Sequence, residues 1–186
     1  MDGRLRKFSA VLLCGLLAGC AGEGAAPSWV DLSADYELTC VSTASPLSLR
    51  ISTDSPEELE GQVVFQEDGC SITVGQVSSS GEGEYTIRFQ AAGGSDDSGR
   101  RSLISAAVPG QGEYSGVIRS ADLSVEPAGL YTAYYSYQTS EFTETGNEFE
   151  ITVVQMQDAP SSGTPQDISL TIPELYRIDA VPGDVK

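Results

Sequence analysis

Cysteines and carboxylates are the residues of this chain whose chemistry could serve a function. The 186-residue sequence holds 4 Cys and 27 Asp or Glu residues, and it holds no His. The chain therefore lacks the usual general base near neutral pH and the commonest metal ligand. This excludes Ser-His-Asp catalysis, Cys-His catalysis and zinc sites built on His. We assign no catalytic residue, no metal ligand and no cofactor from the sequence.

The carboxylates leave one kind of enzyme open, a glycan hydrolase. Such an enzyme needs two carboxyl groups about 5–9.5 Å apart in a cleft, and one of them must have a raised pKa. Four pairs of neighbouring acids occur: Glu57 with Glu58, Glu67 with Asp68, Asp96 with Asp97, and Glu148 with Glu150. In so acidic a chain such pairs arise by chance, and two of them lie in turn-like sequence, where solvated Asp is expected. The hydrolase is kept as an alternative.

The first cysteine after the amino-terminal apolar run indicates a lipid anchor. Arg4, Arg6 and Lys7 precede a short apolar stretch at 8–17, and small residues follow. This is the layout of a secretory signal peptide, and the apolar stretch is too short for a membrane span of about 20 residues. Residues 17–20, "LAGC", resemble the lipobox of bacterial lipoproteins at all four positions.

The resemblance implies cleavage before Cys20 and acylation of its sulfur with palmitate-like chains, which give stable membrane anchoring. It divides the chain into a cleaved signal peptide (1–19), an acylated Cys with a flexible tether (20–28) and a single all-β domain (29–186). The protein is then expected in the bacterial cell envelope, with the membrane as a partner through its anchor. Ala21 follows the lipidated position, and the absence of Asp there implies the outer membrane in a Gram-negative organism.

Two further cysteines, Cys40 and Cys70, remain in the domain. Outside the cytoplasm such a pair most often forms a disulfide, which we expect here. Cys14 lies in the signal peptide and is removed with it, so it receives no role.

The net charge of −17 limits the partners. Phosphates would be repelled, which argues against nucleic acid. The length suits one domain with a core of its own.

Alternating apolar and polar residues predict an all-β, antiparallel fold of about 8–10 strands, mostly in a meander. "YTIRFQ" at 85–90 is the clearest strand, and Asp68-Gly69 predicts a tight hairpin turn. Only one short helical turn is expected, at 55–58, and Pro173 should interrupt the last apolar segment. A disulfide between the first and fourth strands would require the sheet to curl, since three strand spacings span about 14 Å. We therefore expect a β-barrel or a β-sandwich.

Tyrosines of the segment "LYTAYYSYQ" (130–138) are candidate ligand-facing residues. Tyr131, Tyr135 and Tyr137 alternate and are predicted to share one strand face, where rigid rings with a hydroxyl group could stack on a sugar or grip a peptide. Ordinary strand composition explains the same pattern.

Trp29 precedes the first predicted strand, which resembles the entry to lipocalin-like barrels. In lipocalin-like barrels an Arg near the last strand packs on this Trp. In this chain Arg177 is the residue expected to make that contact. The Gly two residues before that Trp is replaced by Pro27, and the likeness carries over no ligand.

The sequence thus predicts a non-enzymatic, lipid-anchored envelope protein whose β domain binds or supports a partner. An envelope protein, a glycan or a small apolar ligand are possible partners. A lipocalin-like carrier and a carboxylate-based glycan hydrolase are the alternatives.

Overall fold

A computed structural model describes residues 36–80, 83–109, 117–138, 147–156 and 167–183. This part of the chain is all-β with antiparallel sheets, as predicted, and contains no α-helix. The strands in chain order are β1 (Tyr36–Ser42), β2 (Leu47–Ile51), β3 (Val63–Glu67), β4 (Cys70–Ser79), β5 (Glu84–Ala92), β6 (Gly94–Ser95), β7 (Arg101–Ser105), β8 (Ala107–Pro109), β9 (Val117–Ser120), β10 (Ser124–Glu126), β11 (Tyr131–Gln138), β12 (Asn147–Gln155), β13 (Ile168–Ile172) and β14 (Tyr176–Pro182).

The largest sheet has the strand order β11-β12-β5-β4-β3. Its central strand β5 buries Tyr85, Ile87 and Phe89 and alternates these with less buried residues, as the sequence pattern predicts. The tight turn between β3 and β4 is confirmed, because Asp68 and Gly69 both have positive φ, at 49° and 80°.

The other strands form a four-stranded sheet (β1-β14-β7-β6), a three-stranded sheet (β10-β13-β2) and the pair β8-β9. The prediction of a mostly meander order holds for β3-β4-β5 and for hairpins such as β11-β12. It is wrong for β1 and β2, which pair with β14 and β13 rather than with each other. No sheet within the described ranges closes into a barrel. The strands outnumber the predicted 8–10 because short pieces such as β6, β8 and β10 add to the long ones.

One hydrophobic cluster joins these sheets. Leu47 of the three-stranded sheet, Leu103 of the four-stranded sheet and Phe89 of the five-stranded sheet all belong to it, and each is fully buried. The rings of Phe89 and Phe149 stack at 4.8 Å within the five-stranded sheet. Strands β4 and β5 contact β7, β10 lies beside β11, and β2 lies beside β3.

Two smaller expectations are confirmed. A single turn of 3₁₀-helix covers Pro56–Leu59, although Ser55 makes no side-chain capping bond to it. The last apolar segment is interrupted at Pro173, so β13 ends at Ile172 and β14 begins at Tyr176. Among the residues described, no helix has the length and apolar character needed to cross a membrane.

The predicted disulfide between Cys40 and Cys70 is not formed, since both cysteines are free. Cys40 is exposed on β1, an outer strand, whereas Cys70 is buried at the start of β4. Strand β14 separates β1 from β7, the strand that contacts β4. Strand β1, which carries Cys40, is therefore two strand spacings, about 9–10 Å, away from β7. A disulfide requires Cα atoms about 5.5–6 Å apart. The expectation assumed a meander that would have brought the two strand ends together.

Candidate functional site

The described part of the chain contains a polar pocket of about 400 Å³ where the ends of two sheets meet. We call it the end pocket. Its lining consists of the backbone at two glycines and the side chains of Asp68, Asp96, Arg100, Ser102 and Arg177. It therefore brings together both charge signs in a chain that is strongly acidic overall.

Three structural elements position these side chains. The β3–β4 turn supplies Asp68, and the turn between β6 and β7 supplies Asp96 and Arg100. Ser102 on β7 pairs in register with Asp179 on the neighbouring strand β14, and Arg177 lies two residues earlier on that strand. Because side chains of a strand alternate, residues 177 and 179 share one face.

Asp179 is the centre of an ion network beside the pocket. One carboxylate oxygen, Oδ1, accepts hydrogen bonds from Ser102 Oγ at 2.5 Å and from Arg177 Nε at 3.2 Å. The other, Oδ2, lies 2.9 Å from Nη2 of Arg100. Arg177 also donates through Nη1 to Asp68, which links the four-stranded sheet to the five-stranded one. The network thus fixes two guanidinium groups against one largely buried carboxylate.

Asp96 organises the turn that carries Arg100. Its Oδ1 accepts hydrogen bonds from the backbone N–H of Ser98 at 2.9 Å, from Ser98 Oγ at 2.5 Å and from the backbone N–H of Arg100 at 3.2 Å. A carboxylate that accepts several hydrogen bonds in this way fixes a tight turn. Its other oxygen, Oδ2, has no hydrogen-bond partner within the described ranges.

The carboxyl groups of Asp96 and Asp179 are both held in the ionised form by their hydrogen bonds. The hydrogen bond from Ser98 lowers the pKa of Asp96, and the backbone donors add to this effect. Burial would raise the pKa of Asp179, but hydrogen bonds from Ser102, Arg177 and Arg100 outweigh it and lower the pKa. A general acid requires the opposite shift, so neither group suits that role.

Tyr131 and Tyr135 share one strand face, as the alternation predicts, and that face is turned towards the core. Tyr131 and Tyr135 are partly buried and pack against the core cluster. Tyr135 meets the ring of Phe149 edge-on, with centroids 6.3 Å apart. Its hydroxyl group is buried without a hydrogen-bond partner among the described residues, and burial raises its pKa.

The placement of Tyr137 on that face is wrong. A β-bulge at Ser136 shifts the register, so Tyr135 pairs with Ile151 while Tyr137 pairs with Glu150. Tyr137 therefore lies on the outer face with Tyr134, and each is about half exposed, at 49% and 50%. The sheet contributes two exposed tyrosines on the face opposite the core.

The other predicted site residues have different outcomes. Cys20 and Trp29 lie outside the described residues. The expected packing of Arg177 on Trp29 therefore falls outside the described residues as well, and the ion pairs described for Arg177 are with Asp68 and Asp179. Sequence reasoning missed Arg100 and Asp179, for which the spacing of two between Arg177 and Asp179 was the available signal.

Within the described ranges, no group of three or more Cys, Asp or Glu side chains is placed to hold a metal ion. No protein-family model, no curated protein and no solved structure matches the chain.

Proposed function

We propose that this chain is a lipid-anchored protein of the bacterial cell envelope whose β domain binds a ligand in the end pocket without catalysing a reaction. Acylation of Cys20 would hold the domain to the membrane through the tether at 20–28. In a Gram-negative organism the expected membrane is the outer one.

The architecture proposed for this domain is a β-sandwich. The five-stranded sheet would form one layer, and the three- and four-stranded sheets the other. Its support is the single hydrophobic cluster to which all three sheets contribute. The contacts of β4 and β5 with β7, and the neighbouring edges β10–β11 and β2–β3, also favour it.

The observation that carries the binding proposal is the composition of the end pocket. It combines ionised carboxylates and guanidinium groups that are already fixed by one another, as in the pairing of Asp179 with Arg100 and Arg177. Fixed polar groups lose little conformational entropy when a ligand arrives, which favours recognition. The lowered pKa of Asp96 and of Asp179 gives no support to proton transfer.

The two alternatives have less support. A lipocalin-like carrier needs an apolar cavity inside the fold, whereas the largest buried side chains of the facing sheets belong to one cluster. A glycan hydrolase needs a carboxyl group with a raised pKa, whereas the pKa values of Asp96 and Asp179 at the end pocket are both lowered.

The anchor is tested by metabolic labelling with a palmitate analogue, followed by membrane fractionation. Cys20→Ser should abolish the label and release the protein in soluble form. Cys14→Ser is the matched control, since it changes a cysteine of the signal peptide and should leave both label and fractionation unchanged. Labelling that persists in Cys20→Ser would refute the proposed attachment site.

A further inference from the structure

We propose that the end pocket recognises a zwitterion, namely an α-amino acid or short peptide that carries both a free carboxylate and a free ammonium group. The inference rests on the proposed function, because it takes the pocket to be a binding site. It goes further by naming the chemical class of the ligand.

The guanidinium groups would bind the carboxylate of the ligand. A guanidinium group offers five N–H donors, and Asp179 supplies one carboxylate to both Arg100 and Arg177. Arg100 Nε is buried and has no hydrogen-bond partner among the described residues. Arg177 has a second partner in Asp68, but that side chain is 62% exposed and lies on a two-residue turn. A ligand carboxylate can therefore join or replace Asp68 at Arg177.

The exposed carboxylates would bind the ammonium group. Asp96 uses Oδ1 to hold its own turn and leaves Oδ2 without a partner among the described residues. Its lowered pKa keeps it charged, so the free oxygen is a strong acceptor for an N–H donor. If a ligand carboxylate displaces Asp68 from Arg177, Asp68 becomes available to the same ammonium group.

The charges of the pocket and of the whole chain favour a zwitterion over a ligand that carries only a negative or only a positive charge. The pocket holds two arginines among three aspartates when Asp179 is included, in a chain of net charge −17. A simple anion would be repelled by the protein as a whole, and a simple cation would leave the arginine donors unused. A zwitterion satisfies both sets and adds no net charge. The volume of about 400 Å³ lies at the lower end of the range for ligand pockets, about 300–1,000 Å³, which suits a dipeptide.

The test is isothermal titration calorimetry of the full mature chain in detergent micelles with four probes. Ala-Ala carries both charges, N-acetyl-Ala-Ala lacks the ammonium group, Ala-Ala amide lacks the carboxylate, and maltose is a neutral polyol. We expect Ala-Ala to bind and each capped form to bind at least 10-fold more weakly, since each loses charge-assisted hydrogen bonds. Binding of either capped form as tight as that of Ala-Ala, or no binding of Ala-Ala, would overturn the inference.

Asp96→Asn is the decisive variant because an amide keeps the Oδ1 acceptor of the turn, removes the charge and replaces Oδ2 with an NH2 donor that repels an ammonium group. It should weaken Ala-Ala at least 10-fold and leave N-acetyl-Ala-Ala unchanged. Asp97→Asn removes the same charge from the adjacent position, which does not line the pocket, and should change neither. Equal weakening of both probes by Asp96→Asn would assign the effect to the fold of the turn and contradict the ammonium contact.

The same titrations separate this inference from the proposed function. Cleavage of Ala-Ala during the experiment, followed by chromatography, would refute a non-enzymatic role and leave the recognition of a zwitterion standing. Tight binding of maltose with no binding of Ala-Ala would refute the ligand class and leave the binding role standing.

Discussion

Replacement of Asp179 by Asn should destabilise the domain by about 2–4 kcal/mol at neutral pH. Asp179 is only 14% exposed and accepts hydrogen bonds from Ser102, Arg177 and Arg100. Breaking a buried ion pair costs about 3–5 kcal/mol because the remaining charge loses its partner. Arg100 is 39% exposed, so water can solvate it in part, and the expected loss lies somewhat below that range.

The loss should depend on pH in a defined direction. The pKa of Asp179 is lower in the folded protein than the ordinary value of an aspartate, so ionisation favours folding. This stabilisation is present above the pKa of the unfolded chain and is lost as the pH falls through the lower pKa of the folded protein. The wild-type and Asn proteins should therefore differ most above about pH 4 and converge as the pH falls further.

Urea unfolding followed by circular dichroism at a series of pH values measures both effects. Asp167→Asn is the matched control, since Asp167 pairs with Arg50 in an exposed ion pair whose side chains are 41% and 76% exposed. We expect that change to cost less than about 1 kcal/mol. A loss for Asp179→Asn as small as the control, or one that does not diminish in acid, would refute the assigned role of the network.

Three further predictions concern single side chains. In the native protein, Cys40 should react promptly with a thiol reagent and Cys70 only after denaturation, because the first is exposed and the second is fully buried; a native protein that gives no thiol reaction would contradict this. Tyr135→Phe should leave the urea midpoint unchanged or raise stability by up to about 1 kcal/mol, since it removes a buried hydroxyl group without a partner among the described residues; a loss above that size would point to an unseen partner. Gly93→Ala should lower the thermal midpoint, because a Cβ there would overlap the backbone oxygen of Ser102; an unchanged midpoint would show that the strands can separate at low cost.

The individual strands could be predicted because their signal is local. In β5 the alternation of Tyr85, Ile87 and Phe89 with more polar residues follows directly from the geometry of a strand with one buried face. The turn at Asp68 was equally clear, since its residue types match the positive φ values that a tight hairpin requires.

Strand pairing could not be predicted in the same way. The alternation of residues in β1 indicates which side chains face inward, but it does not indicate which strand pairs with β1. The partner strand, β14, is more than a hundred residues away in the sequence. The disulfide prediction for Cys40 and Cys70 depended on that missing information. The error at Tyr137 has a smaller cause, because one additional residue in a strand reverses the face of every residue after it.

Prediction of the end pocket would have required both the local alternation of residues and the pairing of distant strands. Arg177 and Asp179 share a face by simple alternation, which the sequence contains. Their meeting with Asp68 and Arg100 depends on β14 lying between β1 and β7 and on the packing of two sheets. No local pattern contains that arrangement, so the pocket was recognised only from the structure.

The pairing of β1 with β14 has a consequence for folding. Strand β14 lies between β1 and β7 and pairs with both. The four-stranded sheet therefore cannot form before residues 176–182 have been synthesised. A sheet that joins strands far apart in the chain, as β1 and β14 are, forms slowly because the long loop between them must be ordered first. Until residues 176–182 have been synthesised, β1 lacks the strand with which it pairs.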